Sequence, residues 1–522
     1  MRRFLLRACA VFAVAAPSAA LAQGDSLAAS APSRAAGPPV QAITTASAVS
    51  TEPLGSISHV RELPDGRVLV NDGTRRRLVL MDTTLRTVGV VLDSLAAVAN
   101  AYGTRAGALI PYLADSTLFV DPASYAMLVL DPAGRIARVR SVWRVQDVFF
   151  IQGQGSGGWP GMDAKGRVVY RVPARAAPPR VPPPSGIPYI PPEPDSAFVV
   201  AVDLATRRVD TLGTVRTPRT DMRVRRNREG RLMIDQVINP LPSSDDWAVL
   251  PDGTVAFVRA RDYRVEYLNP DGSLTSSAKL PFDWQRMTDE DKQRMVDSVR
   301  AAQGRSAATD YATSMIRWAN QANRPYPPGF TVPEGYRAPL GFGRRWKLPP
   351  GVALPAGYVH ACEPGEEPEV KPAPAAGAGA PAGARVATVQ GPPGPPGVPG
   401  RPGAGMPSCI PVPVSGGSPA PPPPTMRQVL VFPPSELPDY RPPLVAGGAT
   451  RADPEGNLWI RTAPARPLPG GPVYDVVSRR GELVNRIQLP PGYSLAGFGR
   501  GKVVYLSMFD ASGIHLARVR LR

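Results

Sequence analysis

The sequence predicts an all-β fold, a six-bladed β-propeller interrupted by a largely disordered proline-rich insertion and a short helical segment. Three observations predict it. A strand–turn–strand unit recurs six times, the turn of most copies carries Asp or Gly at the same place, and the block between the fourth and fifth copies differs in composition from the rest. A fixed-period repeat decides architecture before any local propensity does, because each unit buries its faces only against its neighbours.

The first 22 residues read as a cleavable signal peptide: Arg2 and Arg3, an apolar run from Ala8 to Ala16, then Ala20-Leu21-Ala22 ahead of Gln23. The apolar core is about nine residues long, roughly half of what a membrane-spanning helix needs, so no transmembrane anchor is expected and the chain is placed in the periplasm or outside the cell. Cys9 lies at the start of the apolar run rather than after it, which argues against lipid attachment. Residues 23–41 form a disordered linker.

Residues 42–284 hold the first four blades. Leu63-Pro64-Asp65-Gly66 precedes Val68-Leu69-Val70 and then Leu78 to Asp82; Leu113-Ala114-Asp115-Ser116 precedes Leu118-Phe119-Val120 and Met127 to Asp131. Asp163-Ala164-Lys165-Gly166 leads into Val168-Val169-Tyr170 and Phe198 to Asp203, and Leu250-Pro251-Asp252-Gly253 into Val255 to Val258 and Val265 to Leu268. Residues 447–522 hold the last two: Asp453-Pro454-Glu455-Gly456 with Leu458-Trp459-Ile460 and Val473 to Val477, then Gly499-Arg500-Gly501 with Val503 to Leu506 and Ile514 to Leu521. Asp-Gly pairs supply the positive backbone angles of a tight turn, and β-branched or aromatic runs suit a half-buried pleated surface. Gly66, Ser116 and Gly166 are spaced by 50, a blade-like period, whereas the later gaps of 87 and 203 residues require insertions. The segment Ala42 to Ser50 is placed to pair with the C-terminal run and close the ring.

The stretches Leu63 to Asp72 and Asp453 to Ile460 resemble the strand–turn–strand core of NHL-repeat-like (TolB-like) six-bladed propellers, over perhaps 300 residues. The chain lacks the Asn-His pair that gives the family part of its name. The resemblance implies the fold and leaves the function open, because one propeller architecture carries binding scaffolds, sensors and enzymes.

Residues 285–446 are the insertion. Thr288-Asp289-Glu290-Asp291 resembles a helix N-cap, with a helix of about four turns to near Gln303, Met295, Val296 and Val299 on one side, and a second from Thr309 to Asn320. Beyond Asn323 proline dominates, and Gly391 to Gly403 carries glycine at every third position, a short collagen-like run. No fixed structure is expected for residues 364–424. Cys362 and Cys409 bracket this stretch, and a disulfide between them is the first expectation for an oxidising compartment, worth about 4 kcal/mol of unfolded-state entropy; two free or metal-binding thiols are the alternative.

The formal charge of +17 is carried almost wholly by arginine, with six lysines among sixty basic residues. In an exported protein this charge points away from nucleic acid and toward a protein, peptide or anionic glycan partner in the cell envelope.

A propeller binds at the mouth of its central channel, where the innermost strands begin. Seven residues before each turn position (Gly66, Ser116, Gly166, Gly253, Gly456 and Gly501) stand His59, Leu109, Trp159, Asp246, Ala449 and Ser494, and five before stand Arg61, Pro111, Gly161, Ala248, Arg451 and Ala496. His59, Arg61, Trp159, Asp246 and Arg451 are the candidate ligand-binding residues, with an anion held between Arg61 and Arg451. No catalytic residue, phosphate loop or nucleophile elbow is recognisable. Three histidines, His59, His360 and His515, are too few for a histidine-rich axial metal site, and no cofactor is expected. These features point to an exported binding or scaffold protein. The alternative is a lyase- or lactonase-type propeller enzyme with an axial divalent metal such as calcium.

Overall fold

The computed structural model describes residues 37–43, 46–94, 101–152, 157–174, 194–226, 230, 232–320, 358–360, 411–413, 429–444, 450–463 and 469–521. The residues read as a signal peptide (1–22) and as a collagen-like run (391–403) lie outside these. Among the described residues, six sheets of four or more strands, antiparallel but for one added strand, recur along the chain. Sheet I comprises His59–Glu62, Val68–Asp72, Arg77–Met81 and Thr87–Asp93, and sheet II Ala108–Pro111, Thr117–Asp121, Ala126–Leu130 and Ile136–Ser141. Sheet III has Gly161–Met162, Val168–Pro173, Ser196–Val202 and Val209–Arg216; sheet IV has Asp246–Val249, Val255–Arg259, Arg264–Leu268 and Leu274–Ser276. Sheet V is Thr450–Ala452, Leu458–Thr462, Val473–Val477 and Leu483–Gln488, and sheet VI is Ser494–Gly499, Val503–Asp510 and Gly513–Arg520, completed by Ala48–Val49 from the other end of the chain.

The turns form as their residues demand. Asp65, Asp131, Asp163 and Asp453 each turn a carboxylate back onto backbone N–H groups two or four residues on, the Asx geometry that favours this residue in turns. Gly66, Gly166, Gly253 and Gly456 take φ between 73° and 85°. In the second copy, where Ser116 replaces the glycine, the positive φ moves to Ala114 (51°) and Asp115 (58°).

Burial explains why the sheets stand around an axis. Leu69, Leu78 and Leu92 of sheet I share one core with Leu109 and Phe119 of sheet II. Equivalent cores join II to III, III to IV, IV to V and V to VI, and Val68, Val70 and Met81 of sheet I pack with Val503, Tyr505 and Leu516 of sheet VI. The chain is therefore an all-β propeller whose last sheet packs on its first. Polar links reinforce the seams: Tyr263 Oη donates to Asp475 Oδ2 at 2.6 Å between sheets IV and V, and Tyr505 Oη to Glu62 Oε2 at 2.5 Å between VI and I.

The expected pairing of the two ends is present. Ala48 faces Arg518 and Val49 faces Ala517 in antiparallel register. Beyond that expectation, Val40–Ala42 adds a parallel fifth strand to sheet V.

Between sheets III and IV a hairpin, Asp221–Arg226 and Leu232–Ile238, carries Leu430–Val431 as a parallel third strand. Against it lies one helix, Asp289–Asn320, where two were expected. Gly304 does not break it, because glycine costs only about 1 kcal/mol inside a helix and the residues around it are good helix formers. The predicted cap is present: Thr288 Oγ1 accepts from Asp291 N–H at 3.2 Å, and Thr288 N–H donates to the Asp291 carboxylate at 3.0 Å. Val296 is fully buried against Val237, Phe432 and Leu437, so the helix packs on this side sheet. A further departure is a two-strand ladder between Tyr358–His360 and Pro411–Pro413. It gives residues 411–413 backbone partners within the stretch expected to have none.

Candidate functional site

Counting back from the turns placed His59, Trp159 and Arg451 at the inner ends of sheets I, III and V, and the structure brings these three side chains together. The His59 and Trp159 rings meet edge to face, centroids 4.9 Å apart at 74°. The Arg451 guanidinium carbon lies 3.6 Å from the centre of the Trp159 ring. Three alternate sheets thus meet through one imidazole, one indole and one guanidinium.

Each side chain arrives there for a local reason. His59 opens the first strand of sheet I, and Val60 beside it turns the opposite way into the core shared with sheet VI, as strand alternation requires. Trp159 follows Gly158, which has φ +79° and whose Cβ, were there one, would stand 2.4 Å from the Trp247 indole nitrogen. Only glycine fits that turn. Trp247 Nε1 donates to the Gly157 carbonyl at 3.2 Å and pins the loop. Arg451 is the middle residue of its strand, whose first N–H, that of Thr450, donates to Asp246 Oδ2 at 2.7 Å.

The electrostatics are those of unspent hydrogen-bonding capacity. His59 is 4% exposed and neither ring nitrogen has a hydrogen-bond partner among the described residues. Burial first, and the Arg451 charge second, push its pKa down to about 3, so the imidazole is neutral at physiological pH. Burial also lowers Arg451, to about 10, which leaves it cationic. Arg451 has no carboxylate partner or hydrogen bond among the described residues, and it stacks on the Trp159 face. Stacking on indole stabilises the cation by about 0.5–2 kcal/mol and leaves its N–H donors free for an anion. Buried Thr450 Oγ1 is likewise without a partner.

The other predicted residues have different surroundings. Asp246 is 3% exposed and spends a carboxylate oxygen on Thr450 N–H, joining sheet IV to sheet V; its charge also acts on Arg171, opposing the lowering that burial causes there. Arg61 lies two residues beyond His59 on the same strand face, about 7 Å along and nearer the turn. There it stands 4.0 Å from Asp115, which Arg500 holds at 3.0 Å. Leu109 is buried in the core between sheets I and II, and Ser494 is exposed. Ala449, Cys362 and Cys409 lie outside the described residues. His515 is buried on the C-terminal strand of sheet VI, with Nδ1 2.8 Å from the Ser50 carbonyl and Nε2 2.8 Å from Ser512 Oγ. Among the described residues no three His, Cys, Asp or Glu side chains gather as a metal site would require, and no helix is long and apolar enough to cross a membrane.

Gly158, Trp247, Arg171 and Thr450 were missed by the sequence reading. The first had a signal, the Gly157-Gly158-Trp159 run ahead of a strand; the others carry none, because their roles depend on the neighbouring sheet.

No protein-family model and no curated protein sequence matches the chain. Among solved structures it is similar to a streptogramin B lyase at 11% identity, covering 44% of this chain and 71% of that one with a TM-score of 0.23. It is similar to virginiamycin B lyase from Staphylococcus aureus at 10% identity, covering 44% and 73% with a TM-score of 0.23. A third is an auxiliary nutrient binding protein from Bacteroides thetaiotaomicron, at 10% identity over 47% of this chain and 66% of that one with a TM-score of 0.21. Likenesses of this size carry no argument about activity, and the propeller rests on the chain's own sheets and cores.

Proposed function

We propose that the chain is an exported, six-bladed propeller of the NHL-like kind that binds a protein, peptide or glycan of the cell envelope by an anionic group presented at the axis. The observation that carries this reading is Arg451, a desolvated cation stacked on Trp159 with no acidic partner among the described residues. A guanidinium held in this way keeps a pre-aimed fork of N–H donors, and a carboxylate or sulfate on a ligand would supply the missing counter-charge. Neutral His59 adds one donor and one acceptor beside it, which suits a hydroxyl or amide next to the anion. The signal peptide read from Arg2 to Ala22 supports the exported setting, and the arginine-rich composition supports an anionic partner.

The test is titration calorimetry of the purified protein with acidic peptides and uronate-containing oligosaccharides. An alanine at Arg451 should weaken the tightest of these by about 10- to 100-fold, a lysine should recover part of the loss, and Arg61→Ala should leave it unchanged. Metal analysis is the competing measurement. A stoichiometric divalent ion that survives dialysis and is lost from His59→Gln would overturn this reading in favour of the axial-metal enzyme.

A further inference from the structure

A second cavity shares no residue with the first site. A cavity of about 720 Å³ opens between sheet IV and the segment that returns from the insertion, lined by Arg216, Arg261, Lys279, Trp284 and Tyr440 among others. That volume falls in the range of small-molecule sites, about 300–1,000 Å³.

Its walls are held from several sides. The Asp245 carboxylate accepts from Arg216 N–H at 3.2 Å, Ala260 N–H at 3.0 Å and Arg259 Nη1 at 3.1 Å, which fixes the floor. The opposite wall is a backbone pairing across the insertion: Met287 N–H donates to the Asp439 carbonyl at 2.8 Å and Arg441 N–H to the Gln285 carbonyl at 3.2 Å. Trp284 packs edge to face on Phe282 at 5.3 Å, and Phe282 on Tyr263 at 5.7 Å, so the indole is anchored to the core of sheet IV.

Charge accounting gives the ligand its sign. Three acids line the cavity and each is matched: Asp245 by Arg259, Asp262 by Lys279 at 3.3 Å, and Asp439 by Lys292 at 2.7 Å. Arg216 and Arg261, both exposed at the cavity rim, are left over, with no ion pair or side-chain hydrogen bond among the described residues. The cavity therefore offers two guanidiniums without acidic partners beside an indole and a phenol.

We infer that this cavity binds a ring-bodied organic anion, its carboxylate or phosphate on Arg216 and Arg261 and its ring against Trp284 and Tyr440. Guanidinium forks match either oxyanion, and aromatic side chains suit either a sugar or an aryl face.

Three probes decide the matter by calorimetry on the full chain: 4-methylumbelliferyl β-glucuronide, the corresponding uncharged glucoside, and 4-methylumbelliferyl phosphate. The expected result is that at least one anionic probe binds about tenfold or more tightly than the glucoside. That preference should disappear in the Arg216→Ala/Arg261→Ala double variant, weaken in Trp284→Ala and persist in Arg451→Ala. Whichever anion binds better names the head group. Equal affinity for the glucoside, no binding of either anion to the unaltered protein, or loss of binding in Arg451→Ala with retention in the double variant would each overturn the inference. Arg261→Glu is the control for misfolding, since a folded, charge-reversed variant should melt as the parent does and reject both anions. Failure at Arg451 with success here would sink the axial reading alone.

Discussion

His59 is the residue whose titration reports its surroundings most directly. Its pKa is near 3 in the folded chain and near the ordinary 6.5 when unfolded, so between those values the unfolded chain binds the extra proton and stability rises with pH. The contribution is complete above about pH 6.5 and is eroded as pH falls toward 3. Between pH 7 and pH 5 it should cost about 2 kcal/mol. Denaturant melts of the parent and of His59→Gln across that interval check this, the variant being expected to show the flatter profile; identical slopes would mean that the imidazole is not desolvated. Gly158→Ala should destabilise by about 2 kcal/mol or more, because a Cβ would have to enter the Trp247 indole at a positive φ, and it should also weaken any axial ligand by displacing Trp159. The sequence carried much of this site. The inner strand begins a fixed number of residues before each turn, so counting back reached His59, Trp159 and Arg451. It could not separate Arg61 from Arg451, because two arginines in the same register differ only in what the opposite sheets present to them: Asp115 to one, Trp159 to the other.

At the scale of elements, the seams between sheets combine apolar cores with a few buried polar links. Tyr263→Phe removes the bond to Asp475 while keeping the ring in place, and should cost about 1–3 kcal/mol because, among the described residues, Asp475 then keeps Arg486, at 3.2 Å, as its side-chain partner. Thermal melts of the variant measure it, and an unchanged midpoint would show the link to be idle. Strands were legible because their turns are chemically marked. The helix was less so, since Gly304 invites a division that tertiary packing of Val296, Met315 and Ile316 overrides. The cavity beside Trp284 was not legible at all: its lining comes from positions as far apart as Arg216, Arg261 and Tyr440, which only the fold makes neighbours.

For the whole molecule, the ring is held shut by strands from both ends of the chain. Removing residues 37–50 should lower the melting temperature by roughly 5 °C or more, because sheets V and VI both lose a strand and Ile43 leaves the core between them. Scanning calorimetry is the check, and an unchanged midpoint would make that stitching ornamental. Ser50 and Leu516, bonded through hydroxyl and amide, are 466 positions apart in the chain. Contacts at such separation form late, since the entropy of bringing distant segments together must be met before they contribute anything. Whichever terminus is ready first must wait with a bare sheet edge, and an unpaired edge is an invitation to a neighbouring molecule. Recovery of native protein from denaturant should accordingly fall as concentration rises, with exchanged dimers among the products: the same strand that locks one ring can lock two.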